Sequence, residues 1–408
     1  MVGITARLFP LRSSPIPRLP VSPSPRLPFP VTASVSPLFA VARPHRQYVD
    51  TLAGKDDGEL REEASKLLSV YFNEETADCA KLAAGSLVSI TEAVMEGSVQ
   101  NGVAIIRPPG HHAEAHCAMG FCIFNNVAIA AKMAQQKYGA NKVLIVDWDI
   151  HHGNGTQNMF DDDPSVLYFS VHMYNKGKFF PSKKEPASPE HVGVDAGEGF
   201  SVNVGWDERG MGDAEYIHCW NQVLLPIAYA FDPDLVIVSA GFDAARGDPL
   251  GGCDVTPEGY AHLTHLLSGL AGGKLIIALE GGYNLTSISN SMTACVEALV
   301  SNTPPRLEAP LGEPKIECRQ AIHATIEAHL EYWPLLTRVF APEPEVTRRN
   351  TRGMIAAASL LDTGGGGDTV SNTPRKPKKL DLRAAMAEGR KKGGGRGKKE
   401  KSPLGVSN

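Results

Sequence analysis

The chain has 408 residues, of which 42% are hydrophobic and 21% charged, with a net charge of −5. That balance is the composition of a globular protein and excludes a wholly disordered, collagen-like or disulfide-stapled chain. With no apolar run of about 18 residues, it also predicts no transmembrane helix. The seven cysteines are scattered and odd in number, with no Cys-x-x-Cys pair. They read as reduced thiols of a cytosolic or nuclear protein, not as a disulfide framework or a structural zinc site.

Residues 1–44 differ from the rest of the chain. Pro, Ser and Arg recur, and no acidic residue stands before Asp50. So many prolines oppose helix and central strand, which predicts a disordered arm; they also argue against an organelle transit peptide, since those form amphipathic helices. From His45 onward helical and strand patterns alternate. Glu59–Leu68 and Thr76–Met95 read as helices, then Val103–Ile106 as a buried strand, Asn126–Gln136 as a helix and Val143–Val146 as the next strand. Val166–Phe169, Leu235–Val238 and Leu275–Ala278 complete the strands, with a helix over Ala214–Ala230. This order predicts an α/β catalytic domain over residues 45–340, a mostly parallel sheet with helices on both faces. Residues 341–408, rich in Gly, Lys and Arg, predict a disordered basic tail, either a solvated face or a nuclear-localisation or polyanion-binding segment.

Polar residues cluster where the strands end. Val143–Val146 runs into Asp147-Trp148-Asp149-Ile150-His151-His152-Gly153-Asn154-Gly155, and Leu235–Ala240 into Gly241-Phe242-Asp243. Leu275–Leu279 runs into Glu280-Gly281-Gly282-Tyr283, and Val103–Ile106 into Arg107-Pro108-Pro109-Gly110-His111-His112. Ligands of open parallel sheets bind beyond the carboxyl ends of the strands, so these four turns share one rim. Asp149 and His151 are two apart and point to one side of an extended segment. With Asp243 they make a three-ligand set with an open position, suited to Zn²⁺ or Fe²⁺. The competing reading is that Asp149 and His151 cap a turn, that His111-His112 faces solvent and that Tyr283 is a rim residue.

Taken together these motifs, with Gly120-Phe121-Cys122 between them, resemble the histone deacetylases over residues 45–300. The pattern is similar to class IIb, in particular to the second catalytic domain of the tubulin deacetylases. Asn154 follows the class II pattern, and Arg246–Gly252 looks like a pocket rim. The resemblance implies an arginase/deacetylase-like fold and zinc-dependent hydrolysis of acetyl-lysine. One catalytic Zn²⁺ is expected on Asp149, His151 and Asp243. His112 is implied as the general base towards water and then the acid towards the leaving amine. His111 is its electrostatic partner, with Asp147 and Asn154 orienting the pair, and Tyr283 donates to the oxyanion. Ser69, Gly120, Phe121, Phe180 and Leu250 are implied as the substrate tunnel. A structural K⁺ is expected at Asp147, Asp149 and Ser170.

The family's domain ordinarily begins further upstream, which implies that this sheet lacks its N-terminal strand. The implied partners are acetylated proteins (histone tails, tubulin or others) in the cytoplasm or nucleus, with no membrane and no sequence-specific nucleic acid. Two alternatives stand beside this reading. An acetylpolyamine deacetylase on the same scaffold would want an acid at the rim, where Leu250 stands. A shortened chain could instead serve as a catalytically weak binding module. An arginase-like enzyme would need carboxylates for two metals, and one set is visible.

Overall fold

Short apolar runs build seven strands, β1 (Thr5–Leu8), β2 (Asn101–Ile105), β3 (Val143–Asp147), β4 (Val166–Met173), β5 (Ser201–Trp206), β6 (Leu235–Ala240) and β7 (Leu275–Leu279). They belong to a computed structural model that describes residues 5–8, 42–182, 186–307 and 311–338. Residues 1–4 and 9–41 of the expected arm 1–44, and the basic tail 341–408, lie outside the described residues. The strands form one sheet in the order β1-β2-β7-β6-β3-β4-β5, parallel throughout except for β1 against β2.

That edge differs from expectation in one respect. Thr5–Leu8 pairs antiparallel with Gly102–Ile105, so the N-terminal segment does supply a strand. These four residues precede Pro10, the first proline, and therefore keep every backbone N–H that a ladder needs.

The helices are α1 (Arg43–Asp50), α2 (Asp57–Ser65), α3 (Thr76–Met95), α4 (Asn126–Tyr138), α5 (Asn154–Phe160), α6 (Asp213–Cys219), α7 (Leu225–Phe231), α8 (Pro257–Leu267), α9 (Leu285–Ser301) and α10 (Ile316–His329). They cover both faces of the sheet, and the alternation along β3 shows why. Leu144 and Val146 enter a core with Trp220, Tyr260 and Cys295, while Val143 and Ile145 enter another with Leu87, Ile90 and Ala130 of α3 and α4. A strand buried on both faces has no polar side to display, so it reads as an unbroken apolar run. A third, smaller core of Val49, Leu60, Phe72, Ile123 and Phe124 lies under the loops that precede α4.

Several boundaries move, three of them among the helices with a local cause. Helix α1 begins at Arg43, just before the expected domain start. Helix α2 begins at Asp57, because Asp56 caps it and Glu59 returns the bond, a reciprocal box that fixes the first turn. The helix expected over residues 214–230 is α6 and α7 joined by a π-helical turn, Trp220–Leu224. Pro226, which lacks an N–H for the next turn of the ladder, stands just beyond it. Strand β5 escaped the sequence reading because Asn203 and Gly205 interrupt its apolar run; Asn203 is buried and donates to Gln157 Oε1 at 2.8 Å.

Candidate active site

The strands that carry the motifs, β2, β7, β6 and β3, are consecutive neighbours in the sheet, so their carboxyl ends deliver one continuous rim. At its base Asp149, His151 and Asp243 converge, with one potential ligand atom from each within 4.8 Å of the others. Backbone donors hold the carboxylates. Gly281 donates its N–H to Asp149 Oδ2 at 2.9 Å, and Ile150 donates to Asp243 Oδ1 at 2.8 Å. His151 Nδ1 lies 3.1 Å from Asp149 Oδ1 and 3.0 Å from Asp243 Oδ2.

Two buried carboxylates and an imidazole aimed at one point fit a divalent cation, since like charges buried together call for a counter-charge. The surrounding wall keeps the space open. A Cβ on Gly281 would stand 2.4 Å from Asp149 Oδ2 and 2.7 Å from Asp243 Oδ2; one on Gly241 would stand 2.0 Å from Asp149 Oδ2.

The two histidines beside this set are buried, with ring centroids 4.0 Å apart, and their surroundings differentiate them. His111 Nδ1 lies 3.0 Å from Asp147 Oδ2, which also accepts from the Tyr168 hydroxyl at 3.1 Å. Burial opposes a charge on His111, but the Asp147 and Asp149 carboxylates outweigh it and lift the imidazole to a pKa of about 10. His112 Nδ1 lies 2.8 Å from Asn154 Oδ1. The Asn154 amide nitrogen donates to Glu114 Oε1 at 2.6 Å, which leaves Oδ1 as the acceptor and assigns the proton of His112 to Nδ1. Nε2 is then the free base. Burial, reinforced by the charges of His111 and His151, holds His112 well below its ordinary pKa, hence neutral.

Above the base the walls close in. Phe180 meets His112 edge-on at 5.0 Å between ring centroids. Gly120 and Phe121 both have positive φ, and Gly120 packs so tightly on His112 that an added Cβ would sit 2.6 Å from the imidazole. The N–H groups of Gly120 and Phe121 bond to the carbonyls of Leu68 and Ser69 at 3.0 and 2.9 Å, which brings Ser69 to the mouth. Tyr283 and Phe121 line one cavity of about 350 Å³. Burial and the carboxylates of Asp149 and Asp243 raise the Tyr283 phenol above its ordinary pKa, so it stays protonated and able to donate. Leu250 is 47% exposed at the rim. Ser170 is paired in register with Asp147 and buried, its Oγ 2.8 Å from His172 Nδ1.

The structure brings Asp149, His151 and Asp243 together, with His111 and His112 held beside them by Asp147 and Asn154, and it adds three residues. Glu280 is buried at the end of β7, where its Oε2 accepts from Gly110 and His111 N–H at 2.6 and 3.1 Å and its Oε1 from Ser239 at 3.1 Å. It thereby clamps the His111 loop to β6 and β7. Its place at a strand end was the available signal. Phe179 stacks on His151 with centroids 5.1 Å apart, and Asp248 accepts from Tyr283 and Leu250 N–H at 2.7 and 2.8 Å. No spacing in the sequence pairs those partners.

Comparison with known proteins agrees with this geometry. The histone deacetylase domain model matches residues 36–299. The polyamine deacetylase HDAC10 of Mus musculus is 49% identical over 288 residues, 70% of this chain and 43% of that protein. Histone deacetylase 15 of Arabidopsis thaliana is 50% identical over 279 residues, 67% of this chain and 50% of that protein. The chain spans about half the length of the curated relatives it matches. Among solved structures the HDA15 HD domain superposes with a TM-score of 0.66 at 45% identity, covering 74% of this chain and 82% of that one. With an arginase/deacetylase-like sheet, an Asp-His-Asp set at its rim and a family match over most of the described residues, this chain belongs to the histone deacetylase domain family.

Proposed function

We propose that the chain hydrolyses acetyl-lysine in proteins, with one zinc ion held by Asp149, His151 and Asp243. The observation that carries this reading is the pairing of that ligand set with a neutral His112 whose proton is pinned at Nδ1 by Asn154. Zinc, when bound, supplies polarisation of the acetyl carbonyl and acidification of a water. The remaining work falls to the chain's own groups. His112 Nε2 takes a proton from the attacking water and returns it to the leaving lysine amine. His111, held as a cation by Asp147, steadies the negative charge that develops, and the Tyr283 hydroxyl donates to the oxyanion. Phe121 and Phe180 flank a passage suited to an uncharged acetylated stem, with Ser69 and Gly120 at its mouth. Structural K⁺ is proposed at Asp147, Asp149 and Ser170. Acetylated histone tails, tubulin or similar proteins in the cytoplasm or nucleus are the proposed substrates; the tubulin-deacetylase likeness rests on the rim loop Arg246–Gly252.

A second reading has a specific observation in its favour, because one close relative is a polyamine deacetylase. Against it, the rim residue Leu250 is apolar and offers nothing to a distal ammonium. The two are separated by kcat/KM on an acetyl-lysine peptide and on N-acetylspermidine, in wild type and in Leu250→Glu. Wild type should prefer the peptide, and the variant should move roughly tenfold towards the polyamine. A wild-type preference for the polyamine would overturn the protein-lysine assignment.

A further inference from the structure

The cavity of about 350 Å³ lined by Phe121 and Tyr283 is also lined by Tyr71, Cys79 and Arg107, and it includes none of the ligand set. Its walls are mainly apolar, and among them Tyr71 is 71% exposed and Phe121 41%. Arg107 is the one cation in the lining. Its guanidinium makes no hydrogen bond or ion pair among the described residues, and its charge is felt at the Tyr283 phenol. Glu75 lines the same cavity but is exposed and does not pair with it. An unengaged guanidinium on the edge of an apolar recess is the complement of a carboxylate carried by a neighbouring residue.

We propose that this groove is a substrate subsite, with Arg107 selecting acetyl-lysine segments that carry an Asp or Glu next to the acetylated residue. The inference rests on the proposed acetyl-lysine reading, because the groove shares Phe121 and Tyr283 with the passage and a peptide seated there must lie across it. The chain's own N-terminal segment is a poor rival occupant, since it has no Asp or Glu before Asp50.

The test uses the full-length, zinc-loaded chain and paired fluorescent acetyl-lysine peptides, one with Asp beside the acetyl-lysine and one with Ala there. Turnover and binding by fluorescence anisotropy are both measured. Wild type should favour the acidic peptide about three- to fivefold, the size of a partly exposed ion pair, and most of that preference should vanish at 1 M salt. Arg107→Ala should abolish the preference while leaving the Ala peptide within twofold, and Arg107→Lys should keep most of it. An absent preference in wild type, or one that persists in Arg107→Ala, overturns the proposal; a groove filled by the N-terminal segment would give that flat result. An Arg107-dependent binding preference without turnover of either peptide would support the groove and sink the deacetylase reading instead.

Discussion

The base and the mouth of the site are built on different terms. At the base Asp147, Asp149, Asn154, Asp243 and Glu280 are almost wholly buried, and each of these side chains accepts from a named donor at the end of another strand. At the mouth Leu68, Tyr71, Phe121 and Leu250 are exposed, on loops where Ser69 and Phe121 have positive φ. Ordering the base is enforced by desolvation, since a buried charge without a partner costs several kcal/mol. The mouth carries no such penalty, and the relatives include both a polyamine deacetylase and a histone deacetylase.

Substitutions at the base should break this division most severely. Asp243→Ala removes one proposed ligand, and if the proposal holds, zinc content measured by plasma emission should fall towards zero with turnover down roughly 10³-fold. Retained stoichiometric zinc would take Asp243 out of the set. Next comes Tyr283→Phe, which should keep zinc and melting temperature but lose about 10²–10³ in turnover, the value of one oxyanion donor. Near-normal turnover would show that the phenol does not face the reacting carbonyl. Asn154→Ala frees the proton on His112 to move between ring nitrogens, and a loss of about 10–100-fold in kcat is expected with zinc unchanged. If kcat stays intact, some other group fixes the tautomer.

The smallest effect lies under the mouth. His45 is buried, its Nε2 bonds to the Ile123 carbonyl at 2.8 Å, and its Nδ1 has no partner among the described residues. Burial lowers its pKa below the ordinary 6.5, against the opposing pull of that carbonyl. Below pH 6.5 the unfolded chain binds a proton that the folded chain refuses, so stability is complete above that pH and declines as pH falls towards the folded value. Between pH 7.5 and 5.5 this residue should therefore lower Tm as the pH falls. Thermal unfolding of wild type and His45→Gln at both pH values checks it; an identical pH dependence in the variant would remove His45 as the cause.

The same division governs what could be read from the sequence. The clustering of Asp149, His151 and Asp243 was legible because a parallel strand is a compact apolar run and polar residues come at once after it, as in Val143–Val146 followed by Asp147-Trp148-Asp149. Thr76–Met95 was legible to the residue, since a 20-residue helix gives its period many chances to show. The pairing of Leu68 and Ser69 with Gly120 and Phe121 was not derivable from period or propensity, because it joins two loops through backbone bonds that any side chains permit. Strand β5 was hidden by its buried Asn203, whose burial is tolerable only because Gln157, on another element, accepts from it. The β1 pairing was hidden by the prolines after it, whose abundance outweighed four ordinary residues.

Gly241 and Gly281 supply no ligand atom through a side chain, yet neither has room for a methyl group. The carboxylate of Asp149 fills the volume that a Cβ would need at either position. The signature of such a site in a sequence is therefore written as much in the residues that withhold atoms as in those that offer them. A scan for Asp and His alone would rank these two positions as empty text, whereas inheritance should treat them as strictly as the ligands, since any other side chain there would displace the oxygen on which the ion depends.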